Sequence, residues 1–270
     1  MRKYRMRILF IGDVVGNKGM KMIRDYVPAL KQEYRPQVTI ANGENSTPMG
    51  RGINLSGYKE MMSSGVDVVT LGNHAWSNPE INDFIDDSKR LIRPYNFPGE
   101  NVPGTGYTIM NVNGFRLAVL NFQGRVFLDN LDDPFREATE LVKSLQSEAD
   151  AFFVDFHAEA TSEKLAFAKY MSGEVSAVVG THTHVQTNDA RIINGKTAFL
   201  TDAGMTGPAD GMLGMQEKSV IERFLNQRPA RYKVDEDSRG IICGCIIDID
   251  EKTGNATKIE PVKQMENGLF

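Results

Sequence analysis

Cysteine is scarce: Cys243 and Cys245 are the only two in 270 residues, one residue apart in IICGCIIDID. That excludes a disulfide framework and does not match the spacing of zinc knuckles. The pair reads as two small reduced apolar side chains on one face of a strand. Long hydrophobic runs are missing as well. After the basic start of MRKYRMRILFIGDVVG the apolar run is Ile8 to Ile11, ended by Gly12 and Asp13. It is too short for a signal sequence or a bilayer span, so a cytoplasmic protein without a membrane partner is expected. Positive charge is not in surplus: 31 Lys and Arg against 35 Asp and Glu leave a net charge of −4. No extended nucleic-acid surface follows from such a balance, and any phosphate chemistry must come from a local site. No repeat, low-complexity tract or Pro/Gly-rich linker divides the chain. A single domain over 1–270 is expected, with 41% hydrophobic content to fill its core.

What is present is a series of short apolar runs: RILFI (7–11), QVTIA (37–41), DVVTL (67–71), DAFFVDF (150–156), VSAVVG (175–180) and TAFLT (197–201). Most are continuous rather than alternating, as in strands buried on both faces under helices. Helical patterns separate them: Asn17 to Arg35, interrupted or kinked at Pro28, then Leu55 to Ser64, then starts at Asn78-Pro79 and Asp133-Pro134, and Thr161 to Ser172 before Gly173. Asx-Pro is a helix start with a cause, because the side chain caps a free amide and proline fits the first turn. Alternation of strand and helix gives an α/β class. Asn113-Gly114 and Asn194-Gly195 lie between alternating segments and predict type I′ hairpins, and EKTGN joins a last antiparallel pair. These hairpins favour a layered sandwich over a simple doubly wound sheet. Loops 97–107 and 203–219 are long and turn-rich; whether the second caps a pocket stays open.

Ligands in α/β sheets bind beyond the carboxyl ends of the strands. The residues found there are Asp13, then Glu44 and Asn45, then Asn73 and His74, then His157, then His182 and His184. All four histidines of the chain stand at such positions. Carboxylate, amide oxygen and imidazole suit Mn, Fe, Zn, Co or Ni, and the lack of nearby cysteine argues against a structural zinc. A bridging carboxylate can hold two ions about 3.5–4 Å apart around a hydroxide nucleophile. Each residue also has a plainer reading: Asp13 as a helix cap, GENS as a turn, His74 packed beside Trp76.

The order GD, GNH, isolated His and GTHTH resembles the calcineurin-like metallophosphoesterases. Asp13 is followed by Val14-Val15 rather than x-His, NGENS replaces Gly-Asp-x-x-Asp, and GNHAW lacks a following acid. Those departures resemble one branch, the YmdB-like metallophosphoesterases, in FIGDVVG, ANGENS, GNHAW, DFHAEATSEK and GTHTHVQT across nearly the whole chain. The resemblance implies a four-layered α/β/β/α metallophosphoesterase sandwich with two divalent metal ions per chain, iron or manganese. It also implies phosphodiesterase activity on 2′,3′- or 3′,5′-cyclic nucleotides.

Carried onto this sequence, the resemblance gives Asp13 and His184 to the first metal and Asn73, His157 and His182 to the second. Glu44 bridges them, Asn45 ligates or orients, and His74 protonates the leaving oxygen, its ordinary pKa lying near working pH. Asp155, Glu159, Asp202 and the threonines flanking His182 are candidates to orient the imidazoles, and Arg125 reads equally as a phosphate contact or a surface ion pair. Two other readings stand beside the diesterase: a phosphomonoesterase, as a nucleotidase or protein phosphatase, and a regulatory binding protein acting on RNA turnover or signalling. A homo-oligomer and a regulatory protein partner stay open.

Overall fold

The apolar runs become strands buried on both faces, as their lack of alternation predicts. In the computed structural model, which describes residues 5–268, β1 (Arg5–Ile11), β2 (Asp13–Val14), β3 (Val38–Asn42), β4 (Val68–Thr70) and β5 (Leu91–Ile92) begin a first sheet. The basic start at 1–4 lies outside the described residues. A second sheet holds β6 (Tyr107–Val112), β7 (Phe115–Gln123), β8 (Ala151–His157), β9 (Ala177–Thr181), β10 (Arg191–Ile193) and β11 (Thr197–Leu200). The chain then returns to the first sheet with β12 (Met205–Pro208), β13 (Gly240–Asp250) and β14 (Ala256–Met265).

The first sheet has the order β2-β12-β13-β1-β3-β4-β5, with β14 also paired to β13, and the second runs β10-β11-β9-β8-β7-β6. In each sheet the central strands are parallel, β1-β3-β4 and β7-β8-β9, so their carboxyl ends open on one rim. The predicted hairpins form at β6–β7 and β10–β11, where Asn113, Gly114, Asn194 and Gly195 all take the positive φ of a type I′ turn.

Alternate residues of each strand feed different cores, which fixes the layers. Ile8 and Phe10 join Val119, Phe153 and Cys245 between the sheets, with the Phe10 and Phe153 rings 5.1 Å apart. Leu9 and Ile11 turn the other way, onto Ile23, Val27 and Leu30 of α1 (Gly16–Tyr34) and Met61 of α2 (Leu55–Ser63). On the far side Leu120, Phe122, Val154 and Phe156 meet α3 (Pro134–Leu145) and α4 (Thr161–Tyr170) through Leu141 and Phe167. The result is the expected four-layered α/β/β/α sandwich. Cys243 and Cys245 are buried and free, and burial pushes the Cys243 thiol up to about 12, as inert apolar residues should behave.

Three local expectations need correction. The helix α1 runs unbroken through Pro28, which lies on its exposed face. Pro28 has no N–H to offer the carbonyl of Arg24, and both residues are exposed, where solvent can replace the lost bond. Asn78 does cap, accepting from Glu80 N at 3.1 Å, but the capped segment is a single 3₁₀ stretch, Pro79–Asp83. The stretch 203–219 is not all loop, since β12 and the start of α5 (Glu217–Asn226) fall inside it.

Candidate metal centre

The carboxyl rim of the two sheets gathers the polar residues that end the apolar runs. Asp13 is not a helix cap: the N-cap position of α1 is Val15, and Asp13 Oδ2 instead accepts from His182 N at 3.1 Å. Glu44 is fixed at its backbone by Asn42 Oδ1, 3.1 Å from Glu44 N, and at its carboxylate by His74 N, 3.0 Å from Oε2. Its other oxygen, Oε1, faces His157 Nε2 at 3.1 Å and Asn45 Nδ2 at 3.1 Å.

His157 is the hub. Its Nε2 lies 2.9 Å from Asn73 Oδ1 and 3.1 Å from His182 Nδ1, and Glu44, His157 and His182 offer donor atoms within 4.8 Å of one another. Gly72 makes this approach feasible, because a Cβ there would lie 2.3 Å from His157 Cδ2 and 2.4 Å from Glu44 Oε2. The opposite nitrogen is held from behind. His157 Nδ1 lies 2.9 Å from Thr181 Oγ1, whose hydroxyl donates to Asp155 Oδ1 at 2.7 Å. With that hydroxyl spent on Asp155, Thr181 can only accept, so Nδ1 carries a proton and Nε2 is the nitrogen that a neutral ring would turn to a ligand. Asp155 is itself fixed by Asn42 Nδ2 at 3.1 Å and Thr70 Oγ1 at 2.5 Å.

His184 is oriented similarly. Its Nδ1 meets the carbonyl of Leu213 at 3.1 Å, leaving Nε2 toward Asn45 Nδ2 at 3.3 Å. Segment 203–219 therefore reaches the site through a backbone carbonyl. Both His182 (φ 99°) and His184 (φ 66°) occupy the left-handed region, a strain of about 1–3 kcal/mol each that the surroundings must overcome. Asp202 supplies part of that restraint, accepting from Thr183 N at 3.1 Å, Thr183 Oγ1 at 2.7 Å and the fully buried Lys164 Nζ at 2.7 Å.

The electrostatics follow from donors crowded into a buried site. Burial raises the Asp13 carboxyl to about 6, and the charges of His184 and His157 only partly oppose it. Burial also disfavours charge on His157, yet Glu44, Asp13 and Asp155 raise it to about 9. Burial and the charge of His157 lower His182 to about 3. Asp13 Oδ1 and Asn45 Oδ1 are buried and accept no hydrogen bond. Two orphaned oxygens beside a carboxylate and three imidazoles form a donor set that fits divalent cations.

His74 is half-buried at the rim, its Nδ1 3.2 Å from Ser77 Oγ, and burial lowers its pKa. Glu159 Oε2 lies 3.0 Å from His182 Nε2. Arg125 proves to be a surface pair with Asp133 at 3.2 Å. Three contributors escaped the sequence reading: Asn42 inside a strand, Lys164 on a helix face that looks solvated, and the carbonyl of Leu213, which carries no residue-type signal. Gln123 at the end of β7 is a fourth, fully buried with both ends of its carboxamide unpartnered and in register with His157.

Known proteins resemble this chain over nearly its whole length. The family model described as YmdB-like protein matches residues 9–262. A 2′,3′-cyclic-nucleotide 2′-phosphodiesterase of Bacillus subtilis (strain 168) is 51% identical over 265 residues, spanning 98% of this chain and 99% of that protein. Among solved structures, a hypothetical protein from Thermus thermophilus superposes with a TM-score of 0.89 at 37% identity, covering 97% of this chain and 100% of that one. A phosphatase from Mycoplasma pneumoniae does so with a TM-score of 0.91 at 30% identity, covering 98% and 95%.

Proposed function

The chain belongs to the YmdB-like protein family, and from that premise we propose that it is a metal-dependent phosphodiesterase that opens 2′,3′-cyclic nucleotides at the 2′ ester. The observation that carries the reading is the convergence of Asn73 Oδ1, Glu44 Oε1 and His182 Nδ1 on His157 Nε2 at 2.9, 3.1 and 3.1 Å, beside the unpartnered oxygens of Asp13 and Asn45. Asn73, His157 and His182 would hold one divalent ion, Asp13, His184 and Asn45 the other, and Glu44 both. Iron or manganese suits this mixed oxygen and imidazole set. Such ions supply charge stabilisation at phosphorus and an acidified water as nucleophile.

The chain's own residues do the rest. Thr181 and Leu213 fix the imidazole tautomers, and Asp202 holds the strained GTHTH turn in place. One water gives up a proton to solvent and its oxygen bonds to phosphorus, the bond from phosphorus to O2′ breaks, and O2′ takes a proton to become a hydroxyl, leaving a 3′-phosphate. His74 supplies that proton: it follows Asn73 directly, its Nδ1 is engaged by Ser77, and its Nε2 is left for the leaving oxygen. The same donor set would serve 3′,5′-cyclic nucleotides or a monoester, so substrate assays decide between them.

The experiment is parallel turnover of 2′,3′-cyclic, 3′,5′-cyclic and monoester substrates, with product identification, in wild type and His74→Ala. The expected result is a 3′-phosphate product from the 2′,3′-cyclic substrate, with turnover in His74→Ala lower by about 10²–10⁴-fold and metal retained. Faster monoester than diester turnover would contradict the reading. Full activity in the variant would remove His74 from its role.

A further inference from the structure

A cavity of about 810 Å³ lies between the turn that follows Asn45 and the segments around Met215 and Tyr232, and its lining is unusual for a chain of net charge −4. Arg51, Arg223, Arg231 and Lys233 surround it, with Met49 and Tyr232, and no carboxylate is among the lining residues. Elsewhere some exposed cations are balanced, as Lys21 by Glu266, Arg116 by Asp150 and Arg239 by Asp210, while others such as Lys59, Lys89 and Lys143 stand singly among the described residues. None of the four around the cavity is held in an ion pair among the described residues. Four like charges facing one cavity without counterions repel one another, a cost that an anion in the cavity removes.

Both walls are joined along the chain to segments that carry metal-centre residues. One is the turn 48–51, which begins three residues after Asn45 and is closed by Thr47 Oγ1 donating to Arg51 O at 2.7 Å. The other is the segment around Met215, which bridges to Met212 and Val234 and carries the Leu213 carbonyl that orients His184.

We propose that this cavity binds the next phosphate of a single-stranded RNA whose 3′ end carries the 2′,3′-cyclic phosphate, making oligoribonucleotides the preferred substrates. The proposal rests on the phosphodiesterase reading for the scissile bond. A 2′,3′-cyclic mononucleotide has one phosphate, which the metal centre takes, and offers nothing to four further cations. An RNA end brings a second phosphodiester one nucleoside away on its 5′ side. Arginine forks suit phosphate oxygens, and the half-buried Tyr232 beside them gives a base a ring to stack on. Contact is confined to this cavity, in keeping with a net charge of −4.

The test compares kcat/KM for a cyclic mononucleotide and for a short oligoribonucleotide ending in 2′,3′-cyclic phosphate, in wild type and in Arg231→Ala/Lys233→Ala. In parallel, fluorescence anisotropy follows binding of the corresponding 3′-phosphate oligoribonucleotide to the metal-loaded enzyme. Wild type is expected to prefer the oligonucleotide by about tenfold or more, which is roughly 1.4 kcal/mol. The double variant should lose that preference with mononucleotide turnover unchanged. Its salt dependence of binding should flatten by about 0.7 for each phosphate contact removed. Equal kcat/KM for the two substrates in wild type, or oligonucleotide binding unaltered in the variant, overturns the cavity's role and leaves the phosphodiesterase reading standing. Turnover of neither substrate sinks that reading instead, and the anisotropy comparison still decides whether the cavity binds RNA.

Discussion

Thr181→Val isolates the device that sets the His157 tautomer. Valine matches threonine in shape, so the fully buried site keeps its packing while two hydrogen bonds vanish: His157 Nδ1 to Thr181 Oγ1 at 2.9 Å and Thr181 Oγ1 to Asp155 Oδ1 at 2.7 Å. Asp155 retains its contacts to Asn42 and Thr70 on Oδ2. His157 Nδ1 keeps no partner except Asp13 Oδ1 at a distant 3.8 Å. A buried polar group stripped of its partner costs about 1–3 kcal/mol, so loss of global stability in that range is expected. The larger effect falls on the ligand nitrogen. Loss of the group behind a metal-bound imidazole typically lowers affinity about 10–100-fold, which corresponds to roughly 1.4–2.8 kcal/mol. Competition against a chelator of known affinity measures this directly, with Thr181→Ser as the variant that keeps the hydroxyl. Metal affinity in Thr181→Val within twofold of wild type, at unchanged stability, would refute the relay.

Three other outcomes are expected from the same geometry. Gly72→Ala should fold, by circular dichroism, and fail to retain metal, because its methyl would occupy space held by His157 and Glu44; metal content near wild type would contradict it. Metal uptake by the stripped protein near pH 7.5 should release about one proton from His157, which is raised to about 9 without metal and must be neutral as a ligand. Calorimetry in buffers of different ionisation enthalpy reads that number. For metal-free stability the sign is fixed by the same shift: the raised His157 contributes fully below its unfolded value of about 6.5 and loses its contribution as pH rises through about 9. Lys164→Met leaves the fully buried Asp202 carboxylate without its cation, and breaking such a pair costs about 3–5 kcal/mol in thermal or denaturant unfolding. A loss under about 1 kcal/mol, the scale of one ordinary hydrogen bond, would show that Thr183 and Gly204 alone satisfy Asp202.

Much of this was legible because polar residues ending continuous apolar runs are conspicuous. His157 ends a strand, Asp13, Glu44, Asn73 and His182 lie within three residues after one, and periodicity found those strands. The four layers were also within reach, since runs buried on both faces require cover and the Asn-Gly turns add antiparallel strands. What escaped depended on contacts distant in sequence. Lys164 sits in TSEK, where lysine normally faces water, and only the fold buries it under Gly180. The positive φ of His182 and His184 has no marker in composition, because those positions carry no glycine. The helix α5 carries Val220, Ile221, Phe224 and Leu225 at helical spacing yet buries none of them, and the Gly- and Met-rich run before it drew the whole stretch 203–219 into a loop reading. Pro28 misled because proline tolerance depends on which face of the helix it occupies, known only once α1 is docked.

The central claim is that this cluster holds the metal that turnover needs. One preparation each of wild type and His182→Ala, assayed together for metal content and for 2′,3′-cyclic nucleotide hydrolysis, tests it most directly. Wild type is expected to carry about two ions per chain, as binuclear phosphoesterase chemistry requires. The variant should lose both metal and hydrolysis while keeping its fold. A folded His182→Ala with full metal and full turnover, or a metal-loaded wild type that hydrolyses no phosphate ester, would contradict the account.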